Sequence, residues 1–493
     1  MPDEPAAVVE LREQLVELRE QLAVVLGALA QRDAVIEGLR GELAVANAEI
    51  AELRRQLGQN SRNSSKPPSS DGLAKPAPRS LRRRGARKPG GQDGHPGSTL
   101  APVAVADTYV AHEPGCCRGC GDDLVGAPEV GREARQVFDL PPVRPRVTEH
   151  QLIRRRCGCG VTTSAVAPDG VIAPVQYGPR ITAIIVYLYV GQFLSRKRTA
   201  QALAELFGTP VSMGTVATMT GRAAGRLGGF TDWVRDRLVA AEVVNFDETG
   251  LRVGGKLRWV HCASTGKYSL ITVHDRRGVK GIDAAGVLPS FTGVAVHDAW
   301  APYDTYRHVT HALCGAHVLR ELQAVTDLAE QDTDTDSWCW ATQAGEALRA
   351  LNELVTSALA TGEGLDGIDA AALVDGVHRY RSAATLGVAA TRARTTKIMA
   401  KHHALARRLL DRQDDYLRFT HDPRVPFDNN AAEREIRMIK LRQKVSGCLR
   451  TLTGAEQFCA IRSYLATSAT HGVHFFEALT TLAEGRPWLP ETA

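Results

Sequence analysis

Glu242-Val-Val-Asn-Phe-Asp-Glu-Thr-Gly250 is an apolar run that ends on a carboxylate, Asp247, with a glycine three residues further on. It reads as a buried strand that delivers an acid to a site, followed by a turn at Gly250. Further runs with the composition of strands follow, at Leu257 to Ala263, Tyr268 to Val273 and Val294 to Val296. Val253-Gly-Gly-Lys256 and Thr265-Gly-Lys267 separate the first of them, as hairpin turns do. The fourth run, Gly293-Val-Ala-Val-His-Asp298-Ala-Trp300, again ends on an acid at the edge of apolar structure.

Three antiparallel strands, then a helix and a further strand, match the mixed sheet of a ribonuclease-H-like α/β core. There the first and fourth strands lie side by side, which brings Asp247 and Asp298 to one edge. Taken singly, each aspartate also fits a turn residue. From His317 to Arg424 the chain is alanine- and leucine-rich with helical spacing, so this stretch reads as a helical insertion in the sheet. A third acid then follows in Pro426-Phe-Asp-Asn-Asn-Ala-Ala-Glu433-Arg434. Asn430-Ala-Ala-Glu433 has the spacing of a capping box, in which the glutamate reaches back to a backbone N–H. Glu433, Arg437, Lys440 and Lys444 also share one helix face, and a carboxylate backed by cations suits a metal held against a phosphodiester.

Three acids of this kind point to phosphoryl transfer on DNA with two divalent ions per site, Mg2+ or Mn2+. Two such ions ~4 Å apart activate a water or 3′-hydroxyl and stabilise the leaving oxygen. Carboxylate oxygens are the hard ligands that magnesium requires. Asp247, Asp298 and Glu433 are therefore the expected catalytic and magnesium-binding residues.

At 493 residues the chain exceeds one hydrophobic core, and three or more units are expected. It is 44% hydrophobic and 23% charged, with no signal-peptide core and no apolar run long enough to span a bilayer; Ile181 to Val190 comes nearest. A cytoplasmic, nucleoid-associated protein with no membrane partner is expected. The net charge of +5 is concentrated. From Arg62 to Lys88 nine basic residues stand against one acid, so the rest of the chain is net negative. Arg82, Arg83, Arg84, Arg87 and Lys88 form a basic arm suited to phosphates, in a linker that has almost nothing to bury. A solvated tether is the plainer reading of the same residues.

Ahead of that linker, Leu11, Leu15, Leu18, Leu22, Val25, Leu29, Ile36, Leu39, Leu43, Ile50, Leu53 and Leu57 recur in steps of three and four. So narrow a seam predicts a coiled coil, with a second copy in a homodimer or with a partner; a single amphipathic helix folded back on its own domain is the plainer reading. Gly27, Gly38 and Gly41 lower its helix propensity. Beyond the linker, Cys116-Cys-Arg-Gly-Cys120 and Cys157-Gly-Cys159 supply two glycine-turned knuckles. Cys117, Cys120, Cys157 and Cys159 are the expected ligands of a structural Zn2+, with Cys116 competing for the first place. Arg198 to Phe207, a Gly208 turn and a second helix capped by Ser212 read as a helix-turn-helix. It would set Ser212, Thr215 and Thr218 toward a groove and Arg196, Lys197 and Arg198 near phosphates.

Six stretches together resemble the transposases of the insertion-sequence-66 family. They are Gln59-Asn-Ser-Arg-Asn-Ser-Ser-Lys-Pro-Pro-Ser-Ser-Asp-Gly72, the cysteine knuckles, Asp247-Glu-Thr-Gly250, His297-Asp-Ala-Trp-Ala-Pro-Tyr303, Cys314-Gly-Ala-His-Val-Leu-Arg-Glu-Leu322 and Asn429-Asn-Ala-Ala-Glu-Arg434. The resemblance implies a DDE transposase, with the family's acids on Asp247, Asp298 and Glu433 and with Glu435 a neighbour. The chain departs from the family at Asp298-Ala-Trp, often Asp-Gly-Tyr, and at Gly315, where a larger residue is usual. Implied partners are the element's terminal inverted repeats, target DNA and accessory transposition proteins. An inactive zinc-dependent DNA-binding repressor or architectural protein is the competing reading. The expected division is a coiled coil at 1–58, basic linker at 59–100, zinc ribbon at 101–168 and helix-turn-helix region at 169–240. The core follows at 241–316 and 426–479 around the insertion at 317–425, with a tail at 480–493.

Overall fold

The structure, a computed structural model, describes residues 6–58, 99–329 and 338–490. The chain divides into two compact units, residues 78–220 and residues 1–77 with 221–493. The basic arm of Arg82, Arg83, Arg84, Arg87 and Lys88 lies outside the described residues.

Helix α1 (Ala6–Gly58) is continuous over 53 residues. Gly27, Gly38 and Gly41 do not break it, and nothing else approaches them. The seam residues from Leu15 to Leu57 all stand exposed on it.

In residues 78–220, the stretch 99–178 is almost wholly exposed. Its regular structure is a small antiparallel pair, β1 (Arg154–Arg156) with β2 (Thr162–Ser164), whose connection carries Cys157 and Cys159. Helix α2 (Pro179–Val186) runs into a wider turn over Tyr187–Gly191 and is followed by α3 (Arg196–Phe207) and α4 (Met213–Gly225). Ser195 caps α3 by accepting from the Arg198 N–H, and left-handed Gly208 ends it. Ser212 accepts from the Thr215 N–H at 3.0 Å, which fixes the start of α4.

The larger unit continues with α5 (Gly228–Val239), β3 (Val243–Val253), β4 (Lys256–Ser264), β5 (Ser269–His274), α6 (Val279–Ala285), β6 (Val294–His297) and β7 (Thr310–Leu313). The strands form one mixed sheet in the order β5-β4-β3-β6-β7. β3, β4 and β5 are antiparallel neighbours, whereas β6 runs parallel to β3 and β7 parallel to β6. The first and fourth strands of this sheet are thus adjacent.

Two features differ from the sequence reading. β3 does not turn at Gly250 but runs on to Val253, and the reversal falls at left-handed Gly254 and Gly255. Gly250 sits within the ladder opposite Trp259, where a Cβ would come 3.0 Å from the Leu257 side chain. A glycine inside a strand here marks close packing, not a bend. The second difference is β7, a four-residue strand that closes the far side of the sheet.

Helices α7 (Gly315–Ala329), α8 (Trp340–Thr361), α9 (Ala370–Ala390), α10 (Lys397–Asp411) and α11 (Gln413–Leu417) form a helical body after β7. Its apolar faces share one core with the sheet, from Val296, Ala312 and Leu313 to Leu348, Leu351, Tyr380 and Leu409. Helix α12 (Asn430–Ser446) then lies across β3 and β4, followed by α13 (Leu452–Thr470) and α14 (Phe475–Ala483). α13 covers the β5 edge, where Ser463 and Thr467 hydroxyls accept from the Ile271 and Ser269 N–H groups at 2.8 and 3.1 Å. Hydroxyls on a covering helix thereby satisfy donors that an open sheet edge would leave for another chain.

Candidate active site

Asp247 stands in the middle of β3, Asp298 directly follows β6, and Glu433 lies in the first turn of α12. The parallel pairing of β3 with β6 carries the first two to the same end of the sheet. The third is brought there by Asn429, which is fully buried just ahead of α12. Its amide donates to the Phe246 carbonyl at 2.7 Å and its oxygen accepts from the Asn245 amide at 2.9 Å.

The acids feel one another. Burial pushes the Asp247 carboxyl well above its ordinary value, and the charges of Glu248, Asp298 and Glu433 push it the same way. Asp298 is raised to about 6, first by burial and then by Glu248, against the opposing pull of His317, the Trp300 N–H and Arg277. Such mutual destabilisation is relieved by a cation placed among the three.

Glu433 does not cap its own helix. Its Oε2 accepts from Arg437 at 2.9 Å and has Arg320 at 3.8 Å, while its buried Oε1 has no hydrogen-bond partner. His317 Nδ1, also buried and unpartnered, stands 3.6 Å from that oxygen. Cys314 Sγ completes a group of three donor atoms within 4.8 Å of one another, the one such cluster of three among the described residues. Orphaned, buried donors beside two further, half-buried carboxylates are a donor set that fits divalent metal.

A second buried layer supports the acids. Glu248 Oε1 accepts from two nitrogens of Arg277 at 3.0 and 2.7 Å, and its Oε2 accepts from the Tyr303 hydroxyl at 2.6 Å. The Arg277 guanidinium also sits between Trp300 and Trp259, 4.0 and 5.0 Å from their rings. Trp300 thus covers a half-buried charge pair, and its backbone N–H donates to Asp298 at 3.1 Å. Beneath Asp298, buried His297 stacks on Tyr303 at 4.5 Å and is kept neutral, lowered to about 3 by burial. Glu435 turns away from the acids and pairs with buried Arg462 on α13.

The basic face of α12 is divided among three tasks. Arg437 is committed to Glu433, Lys440 donates to the Gly250 carbonyl in a half-buried setting, and Lys444 is exposed to solvent. Arg198 is exposed on α3, beside the Ser195 cap.

At the first cysteine knuckle, the Cys117 N–H donates to the Asp122 carbonyl and the Gly121 N–H to the Cys117 carbonyl, at 2.8 and 2.9 Å. N–H groups of Cys120, Gly119 and Gly121 and the Cys120 thiol lower the Cys117 thiol. Cys157 is lowered in the same way by the Cys159 N–H and thiol. Each knuckle is therefore shaped for thiolate, although no three of the four sulfurs lie within 4.8 Å of one another.

A family model described as "Transposase IS66 family" matches residues 174–457, more than half of the chain and all three acids. The chain belongs to the IS66 family of transposases. A second model, the zinc-finger binding domain of transposase IS66, matches residues 114–160 and spans both knuckles, which supports a structural zinc in this member. Residues 4–101 match a family of unknown function. No curated protein matches the chain. In the described residues no helix is long and apolar enough to cross a membrane.

The sequence reading named the three acids but assigned no role to Glu248, Arg277, Cys314, His317, Arg320 or Asn429. Most of these lie inside the motifs that carry the family resemblance. Cys314-Gly-Ala-His317 in particular spaces a thiol and an imidazole at the start of a helix, a signal readable as metal-ligand spacing.

Proposed function

We propose that this IS66-family transposase cleaves DNA at the ends of its element and joins the freed 3′-hydroxyls to target DNA, using Asp247, Asp298 and Glu433. The observation that carries this reading is the meeting of three carboxylates, half-buried Asp247 and Asp298 on β3 and just after β6 and buried Glu433 on α12, the two aspartates raised and one glutamate oxygen without a hydrogen-bond partner. The strand order and the helical body between Asp298 and Glu433 support a ribonuclease-H-like core with a helical insertion. Two Mg2+ or Mn2+ ions held by these acids would supply Lewis-acid stabilisation of the attacking and leaving oxygens.

The chain's own residues do the rest. Arg437 and Arg320 neutralise one oxygen of Glu433 and leave the other directed into the site. Asn429 fixes the distance between α12 and β3. Trp300, Arg277, Glu248 and Tyr303 hold Asp298 from the side, so that its carboxylate is positioned before substrate arrives. Lys444, the zinc knuckles of Cys117, Cys120, Cys157 and Cys159, the α3–α4 pair with Arg198, and the basic arm would contact DNA phosphates. The exposed seam of α1 would pair two copies, which suits an enzyme that must hold two element ends together.

The test is strand transfer of labelled element-end DNA with Mg2+. Wild type should give joined product, and Asp298→Asn and Glu433→Gln should give none while binding the ends nearly as well. End binding without product from any of the proteins, accessory partners supplied, would overturn the catalytic reading.

A further inference from the structure

We propose that His317 is itself a ligand of the metal that Glu433 holds, so that this corner of the site offers an imidazole nitrogen together with a carboxylate oxygen. The inference rests on the metal-dependent reading above and extends it to a residue outside the three acids.

Geometry carries the argument. His317 Nδ1 and Glu433 Oε1 are both buried, neither has a hydrogen-bond partner, and they lie 3.6 Å apart. Buried polar atoms left unpaired destabilise a fold, so an unpaired couple calls for a third partner. That distance is too long for a good hydrogen bond, so the pair does not satisfy itself. It fits two donors turned toward a common third atom.

Two alternatives account for less. An imidazolium paired with Glu433 would add a third cation to a carboxylate whose Oε2 already has Arg437 at 2.9 Å and Arg320 at 3.8 Å. It would still leave the short contact unmade. Cys314 Sγ also lies within reach. However, it is occupied as an acceptor for the Asn429 N–H at 3.2 Å and for the His317 N–H. It ties the start of α7 to the start of α12 and so aims both His317 and Glu433 at one point. The charge of Asp298 also acts on His317, so two of the acids influence this imidazole.

A nitrogen donor shifts preference away from magnesium toward first-row transition metals such as Mn2+. The experiment therefore loads zinc-replete, full-length protein with Mn2+ and reads electron spin echo modulation from directly coordinated nitrogen. Wild type should show that modulation. His317→Gln should lose it and bind Mn2+ at least about tenfold more weakly, with His317→Asn as a second variant. Mn2+ binding that Asp247→Asn and Glu433→Gln leave unchanged would overturn the carboxylate centre and this inference with it. Binding that needs the carboxylates but shows no nitrogen modulation in wild type, or modulation that survives both His317 variants, overturns the role of His317 alone.

Discussion

Asn429 donates its side-chain amide to the backbone carbonyl of Phe246 at 2.7 Å, one residue before Asp247. Asn429 sits where a helix cap is expected, yet its side chain caps nothing on α12. It spends both of its polar atoms on β3 instead, so the helix that brings Glu433 is registered against the strand that brings Asp247.

Replacing Asn429 with alanine should therefore act on stability and on chemistry together. The buried Phe246 carbonyl loses a donor and the buried Asn245 amide loses its acceptor, a cost of about 2–6 kcal/mol for the two. Urea unfolding should show that loss. In variant protein that remains folded, strand joining should fall much more than element-end binding, because the acids lose their mutual spacing. Equal losses of binding and joining would show that Asn429 serves folding alone.

Gly315 makes a second junction legible. A Cβ at this position would lie 2.3 Å from the Phe427 ring, and the Gly315 N–H donates to the Phe427 carbonyl at 2.8 Å. Gly315 is thus matched to an aromatic ring that fills the space a side chain would take. Gly315→Ala should destabilise by about 1–3 kcal/mol through overpacking. Phe427→Leu in the same chain should recover part of that loss, a coupling that a double-mutant cycle measures.

How far the sequence carried the reading follows from which interactions are local. The strand runs ending at Asp247 and His297 carry their own period and composition, so the sheet and two of the acids could be read before any contact was known. Gly250 reads as a turn in the sequence because glycine signals a turn or a tight contact equally well, and only Trp259 and Leu257 across the ladder decide between them. Thr310-His-Ala-Leu313 is too short for its alternation to stand out from the loop around it. Glu433 had two readings from one spacing, capping box or site. The choice lies with His317, Arg320 and Arg437, two of which come from a helix more than a hundred residues earlier. Asn429, Glu248 and Arg277 act through such distant partners; Asn429 and Glu248 lie inside quoted motifs, but their roles there depend on contacts that no local pattern reveals, and Arg277 lies outside every motif.

His261 supplies a pH dependence away from the acids. Its imidazole is buried on β4, donates Nε2 to the Arg276 carbonyl at 3.1 Å, and is lowered to about 4, first by burial. The unfolded chain binds this proton at about 6.5, the folded chain only near 4, so stability is lost as pH falls through that window. The full difference amounts to about 3 kcal/mol. Between pH 7 and pH 5 wild type should lose about 2 kcal/mol relative to His261→Gln, measured by urea midpoints. A stability difference between the two proteins that stays constant across this range would show that His261 takes up its proton in the fold.

The zinc knuckles leave one choice that the sequence held open, Cys116 or Cys117. The N–H groups of Cys120, Gly119 and Gly121 surround the sulfur of Cys117 and lower its thiol, the arrangement that stabilises a metal-binding thiolate. Cys116 stands opposite Asp123 in a bridge that the backbones of Gly115 and Cys117 close. A stretch as exposed as residues 99–178 has little apolar burial to hold it, so a zinc held by these thiolates would contribute much of its folding energy. Cys117→Ser and Cys157→Ser should therefore lose zinc, measured by atomic absorption, and become open to proteolysis within this stretch, as should wild type treated with a strong chelator. Cys116→Ser should keep both its zinc and its resistance. The reverse result, zinc lost with Cys116 and kept without Cys117, would move the first ligand one residue back and leave the N–H groups around Cys117 as features of the turn alone.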